Sequence, residues 1–198
     1  MNSHVAVLRT GVLSDQLART RLADAILVIA YAGFIGVSAQ ISVHLPFTPV
    51  PITGQTLAVL LGASALGAGR ALMGSGLYLA AGLIGVPWFA GGSGGLSVAS
   101  SPTFGYIVGF IAASALVGLM ASRGMDKKVI GTAFEMVAGN LGIYAFGVAW
   151  LAFSLHISLA HAVALGVVPF LVGDLLKLVL AAVLLPGAWK VTGRLQAH

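Results

Sequence analysis

An all-α integral membrane protein, a bundle of six transmembrane helices with both termini cytoplasmic, is the fold class this sequence predicts, and three observations predict it. The first is composition. Of 198 residues, 59% are hydrophobic and 8% charged, with a mean hydropathy of +1.03, whereas soluble domains carry about 25% charged residues. The second is a division into apolar runs of bilayer-crossing length, and the third is that the basic residues fall beside those runs on one side. At about 20 residues per span, the chain holds one compact membrane domain and little else.

Taken in order, the apolar segments are residues 22–43, 54–69, 70–86, 103–122, 129–153 and 162–185. They divide the chain into an amino-terminal cytoplasmic segment (1–21), a six-helix membrane domain (22–190) and a cytoplasmic tail (191–198). The second and third segments are short and meet at Gly67-Ala68-Gly69-Arg70, which predicts a tight helical hairpin with Arg70 at its turn. The amino-terminal stretch lacks the short apolar core and cleavage site of a signal peptide. Arg9, Arg19, Arg21, Arg70, Arg123, Lys127, Lys128, Lys190 and Arg194 all fall on one side of a six-span arrangement, and the three opposite loops carry no Lys or Arg. The positive-inside rule makes that side cytoplasmic. It also accounts for the net charge of +5 without a nucleic-acid partner.

Several chemistries are excluded or disfavoured. With no cysteine, the chain has no disulfide, thiolate nucleophile or cysteine metal site. No lysine is followed by Ser or Thr, so the phosphate-binding pattern Gly-x-x-x-x-Gly-Lys-Ser/Thr of ATPases is missing. Gly91-Gly92-Ser93-Gly94-Gly95 matches Gly-x-Ser-x-Gly, but that motif works only between a strand and a helix. His156 and His161 are therefore read as ordinary loop histidines.

The polar residues inside the spans are more telling. Asp174 and Lys177 stand three residues apart in an apolar run, so on a helix they share one face. Each costs about 2.5–3.5 kcal/mol to insert, and such residues usually face a cavity or a partner. A salt bridge that only locks packing is the rival reading, though a buried pair seldom outdoes apolar packing. Pro169 favours a helix start there, which would set Asp174 about 7.5 Å below the outer end and leave 156–168 as a connection or a short separate turn. Asn140 lies near mid-span, where an amide either bridges helices or meets a ligand. Glu135, about two turns from Lys128, is read as snorkelling or pairing near the cytoplasmic face. Ala32 and Gly36 form a small-xxx-small stripe suited to close helix approach, read from the residues alone as packing inside the chain.

The outward loops complete the pattern. His44 to Thr53 holds three prolines, which stiffen it into a preformed lid. The loop from Pro87 to Pro102 combines a Gly-rich run with Trp88 and Phe89, mixing flexibility with aromatic surface.

Phe47-Thr48-Pro49-Val50-Pro51-Ile52-Thr53-Gly54-Gln55-Thr56-Leu57, Tyr78-Leu79, Gly82-Leu83-Ile84-Gly85-Val86-Pro87 with Phe89 and Gly91-Gly92, Pro102-Thr103 with Gly105-Tyr106, Gly109-Phe110, and Gly173-Asp174 with Lys177 together resemble the BioY family. That family comprises the biotin-specific S components of energy-coupling-factor (ECF) transporters, and the resemblance runs from about residue 22 to 190. It implies a six-helix, non-enzymatic protein of a prokaryotic plasma membrane that captures biotin on the outer face. Biotin is then the transported substrate, and no cofactor is expected. The implied biotin-binding residues are Asp174, Lys177, Asn140, Tyr106, Gln55, Phe47 and Trp88. Biotin's ureido N–H groups suit a carboxylate and its own carboxylate suits a cation, with either assignment of the pair's ends left open. The implied partners are the lipid bilayer, an ECF transmembrane coupling protein and ATPase subunits, with Ala32 and Gly36 as the docking face. One departure is Phe104 in Ser101-Pro102-Thr103-Phe104-Gly105-Tyr106, where family members often carry glycine; it either closes the pocket or packs toward lipid. An S component for another vitamin and a stand-alone secondary transporter are the alternatives.

Overall fold

The computed structural model describes residues 11–16 and 20–195; Arg9 and Arg19 of the basic set lie outside the described residues. The chain forms helices α1 (Arg21–Ala39), α2 (Gln55–Leu66), α3 (Ala68–Leu83), α4 (Phe104–Ser122), α5 (Val129–Leu155), α6 (Leu159–Gly166) and α7 (Leu171–Leu195), with two short strands, β1 (Ser42–Val43) and β2 (Ile52–Thr53). By length and composition, four helical stretches can cross a membrane: Arg21–Ala39, Phe104–Ser122, Val129–Leu155 and Leu159–Thr192. Their outward faces carry Leu22, Ile26, Ile29 and Val37 on α1 and Leu175, Leu176, Val179 and Val183 on α7, all exposed. A stripe of that kind suits lipid rather than water.

The expected hairpin is present. Gly67 ends α2 and opens α3 with φ 78°, a left-handed geometry in which glycine carries no Cβ penalty. Arg70 then gathers the amino-terminal segment: its guanidinium donates to Asp15 at 2.7 Å, Asp24 at 2.8 Å and the Ser14 hydroxyl at 2.8 Å. Arg21, Arg70, Arg123, Lys127, Lys128 and Lys190 sit at one end of the bundle, where α1, α3 and α5 begin and α2 and α4 end.

Apolar helices gain no hydrophobic drive to pair within lipid, so close approach of backbones does the work. At Gly109 of α4, a Cβ would meet the Ile143 carbonyl oxygen of α5 at 2.9 Å. Tyr31 of α1 is buried across the bundle, its hydroxyl donating to the Val59 carbonyl at 2.9 Å and lying 3.1 Å from the Ser114 hydroxyl.

The helix start expected near Pro169 is present: the chain breaks at Val167, passes through a 3-10 turn at Val168–Phe170 and starts α7 at Leu171. The stretch before the break is the two-turn α6, capped by the Ser158 hydroxyl. Asp174 thus lies in the first turn of α7, where a carboxylate is favoured by the helix dipole. At the other end α7 continues through Val191 to Leu195. Ala32 is 1% exposed and Gly36 is buried under the Trp88 ring, which a Cβ would meet at 3.1 Å. That stripe serves packing inside the chain and offers no docking face. Finally, Glu135 does not pair with Lys128. It is fully buried and accepts from the Ser64 hydroxyl at 2.9 Å, because its position on α5 turns it toward α2.

Candidate functional site

A cavity of about 310 Å³ opens at the end of the bundle opposite the basic residues, lined by Val50, Gln55, Thr56, Phe89, Tyr106, Phe110, Tyr144, Phe170, Asp174 and Lys177 among others. The helices set its floor. Asp174 and Lys177 project from the first two turns of α7, their charged groups 3.6 Å apart and mostly buried. Neither is left to the other alone. The Lys177 ammonium donates to Thr56 Oγ1 at 2.6 Å, at the start of α2, and the Tyr144 hydroxyl of α5 donates to Asp174 Oδ2. The carboxylate keeps its remaining acceptor capacity and the ammonium its remaining donors, so the pair can bind a zwitter-complementary ligand.

The walls are apolar and braced from behind. Phe89 is buried against Gly82, whose missing side chain leaves the room that the ring fills. Tyr78 meets Phe89 edge-on at 5.2 Å and stacks with Trp88 at 5.2 Å. Gln55 donates to the Tyr78 hydroxyl at 2.7 Å, and Gln40 donates to the Trp88 and Phe89 carbonyls at 3.2 and 3.4 Å. Tyr106 crosses to α6, donating to the Gly166 carbonyl at 2.9 Å just before the chain breaks. That bond helps fix where α7 begins.

Both outward loops close over the floor. β1 and β2 pair antiparallel, Ser42 opposite Thr53 and Val43 opposite Ile52, and tie off the Pro-rich loop. Its Thr48 hydroxyl donates to the Leu165 carbonyl of α6 at 2.8 Å, which holds Val50 and Pro51 over the cavity. The Gly-rich loop adds Ala90, Ser93 and Ser97. Ser93 follows a 3-10 turn at Ala90–Gly92 rather than a strand, so the context of a nucleophile elbow is missing.

Of the seven residues singled out as ligand contacts, Asp174, Lys177, Gln55 and Tyr106 line the cavity. The other three do not. Phe47 is 62% exposed at the tip of the Pro-rich loop. Trp88 lies behind the wall, its indole N–H donating to the Tyr78 carbonyl at 3.0 Å. Asn140 sits one turn deeper on α5 than Tyr144 and outside the lining. Phe104 turns away to stack edge-on against Trp150 at 5.7 Å, so it does not close the pocket. Tyr144 and Thr56 are the polar residues sequence reasoning passed over. Thr56 lies inside the quoted motif, and Tyr144 shares a helix face with Asn140 at i, i+4; either signal could have found them.

Comparison with known proteins places this arrangement. The family model described as BioY family matches residues 11–194. The chain belongs to the BioY family. It is 34% identical to a biotin transporter BioY of Rhizobium etli over 171 residues, covering 81% of this chain and 90% of that one. A biotin transporter BioY of Thermotoga maritima is 38% identical over 157 residues, 78% of this chain and 88% of the relative. In fold, the chain resembles a crystal structure of the S-component for biotin from an ECF-type ABC transporter, with a TM-score of 0.78, 24% identity, and coverage of 87% of this chain and 95% of that one. That likeness is one of fold.

One prediction concerns Tyr144. Tyr144→Phe removes the donor that orients Asp174 without emptying the wall. Ligand affinity is expected to fall by about 1 kcal/mol, the net worth of such a bond, as read by equilibrium binding.

Proposed function

We propose that this protein is the biotin-capturing S component of an ECF-type transporter in a prokaryotic plasma membrane. The observation that carries the reading is the convergence of Asp174 and Lys177, braced by Tyr144 and Thr56, on the floor of an apolar cavity. At about 310 Å³ it is at the small end of the ~300–1,000 Å³ range of ligand pockets, as a vitamin requires. Lys177 is the only cation among the lining residues, so it pairs with biotin's carboxylate. Asp174 accepts from the ureido N–H groups, and Phe89, Tyr106, Phe110 and Phe170 receive the apolar ring and chain. Biotin is cargo here, with no prosthetic role.

The proposed topology has six spans, α2 and α3 crossing as a short hairpin and α6 with α7 forming the last, and both termini cytoplasmic. The positive-inside distribution supports it, and the cavity then faces outward. In this reading an ECF coupling protein with its ATPases supplies the energy for release, in line with the chain's membership of the BioY family.

Two experiments test this. Titration of the purified, biotin-depleted chain is expected to show saturable biotin binding, weaker binding of biotin carboxamide, and none of unrelated vitamins; failure to bind biotin would sink the substrate assignment. For orientation, cysteines introduced at Phe47 and Leu96, which are 62% and 76% exposed, are expected to react in intact cells with an impermeant thiol reagent. A cysteine at Lys127 is expected to react only after permeabilisation. The reverse pattern inverts the topology.

A further inference from the structure

The end of the bundle away from the cavity carries positive charge that the chain's own side chains do not neutralise. The sequence has five acidic residues, and the fold places all of them. Asp15 and Asp24 pair with Arg70 at 2.7 and 2.8 Å, and Asp174 lies 3.6 Å from Lys177 at the cavity floor. Glu135 and Asp126 are both buried, and accept from the Ser64 hydroxyl at 2.9 Å and the Trp189 indole N–H at 2.5 Å. No side-chain carboxylate is left to pair with Arg123, Lys127, Lys128 or Lys190, all of them exposed.

The fold gathers these cations. Arg123, Lys127 and Lys128 flank one tight turn: α4 ends at Ser122, Gly124 takes φ 82°, and a 3-10 turn at Met125–Lys127 leads into α5. That turn is pinned, because the Asp126 side chain accepts from Trp189 of α7 and the Asp126 carbonyl accepts from the Thr132 hydroxyl at 3.3 Å. Trp189, 63 residues from Asp126 in the chain, brings Lys190 to the same place. The Lys127 ammonium lies 4.5 Å over the centre of the Trp189 ring, a cation–π contact. The positive-inside rule counts cations in loops beside spans; it does not require that cations from two distant stretches meet around one indole. Even with Asp126 counted against them, three positive charges are left over. Like charges held together repel, and an anion lodged among them relieves the repulsion.

Beside the patch the helices present apolar faces. Ile130, Phe134, Val137 and Leu141 are exposed along α5 at the three- and four-residue spacing of one helix face. α7 packs against α5 and exposes Leu176, Leu180 and Leu184 at intervals of four. We propose that Arg123, Lys127, Lys128 and Lys190, set around Trp189, bind the headgroup phosphate of an anionic phospholipid whose acyl chains lie along these faces of α5 and α7. Clusters of about four to eight basic residues beside a membrane span recognise such headgroups, and an indole suits the boundary between headgroup and chain. A zwitterionic lipid brings no net charge to the patch. None of these residues lines the cavity, so the site is independent of the substrate assignment.

The test is native mass spectrometry of the purified full chain in detergent, offered equal amounts of dioleoyl phosphatidylglycerol and dioleoyl phosphatidylcholine. Orientation in a membrane plays no part in that readout. The wild type is expected to retain the anionic lipid preferentially, and less so at high salt, where exposed charges are screened. Lys128→Gln and Lys190→Gln are each expected to cut the preference about fivefold, the effect of losing one surface cation. Both side chains are exposed, so neither change disturbs packing. Arg21→Gln removes the same charge from the start of α1, which packs mainly against α2 and α3, and is expected to leave the preference as it is. Equal retention of the two lipids by the wild type overturns the proposal. A loss in Arg21→Gln as large as in Lys128→Gln does so too, since net charge alone would then be at work. So does displacement of the bound lipid by excess glycerol phosphate, which would mark a site for a free anion rather than a lipid.

Discussion

Lys177→Ala and Asp174→Asn are each expected to weaken biotin binding by about 2–5 kcal/mol, roughly thirty-fold to several-thousand-fold in Kd. The size follows from burial. Each group is largely removed from water at the cavity floor, so deleting one leaves the other charged, desolvated and short of a partner. The two variants differ in kind. Loss of Lys177 also erases the preference for biotin over its carboxamide, because the cation is what distinguishes those tails. Loss of the Asp174 charge leaves Lys177 its bond to Thr56 and so retains that preference. Equilibrium titration of both folded variants with both ligands decides it, and wild-type affinity in both would reduce the pair to a packing element.

Gly82→Val is expected to cost about 1–3 kcal/mol of stability, the usual toll of overpacking, and to abolish ligand binding as well. The added Cβ falls within the Phe89 ring, so Phe89 must leave the wall that it forms between Tyr78 and the cavity. Trp88 and the Gly-rich loop move with it, since Gln40 and Tyr78 hold that stretch by its carbonyls. Thermal unfolding in detergent and biotin titration check the two effects separately. Phe89→Ala in the Gly82→Val background is expected to restore folding without restoring binding. A singly substituted protein that binds normally would show that Phe89 is no part of the wall.

The residues legible in advance were those whose chemistry is at odds with lipid. Asp174 and Lys177 stood out because charge in an apolar run needs a reason, and Pro169 marked the break before them because proline suits a helix start. Gly67 marked the hairpin for the equivalent reason on the glycine side. Trp88 and Phe47 were misplaced relative to the cavity by the same property that drew attention to them. An aromatic side chain in a loop can form a wall, brace one from behind or face outward, and local sequence is the same in all three cases. Ala32 and Gly36 show the converse: a small-residue stripe announces close approach but not the approaching group, which here is the Trp88 ring.

Composition and patterning by themselves determined the membrane setting, the order of the helical segments, the clustering of basic residues at one end and the pair of charges on the last helix. These depend on single residues or on spacing along one helix, where neighbours in sequence are neighbours in space. Tertiary structure alone decided what each charge meets: Tyr144 for Asp174, Thr56 for Lys177, Ser64 for Glu135 and Trp189 for Asp126. Those partners come from helices 30, 121, 71 and 63 residues distant in the chain. Which face of a near-uniformly apolar helix turns inward is set by how tightly the backbones pack, and a hydrophobic pattern with little asymmetry carries almost no record of it.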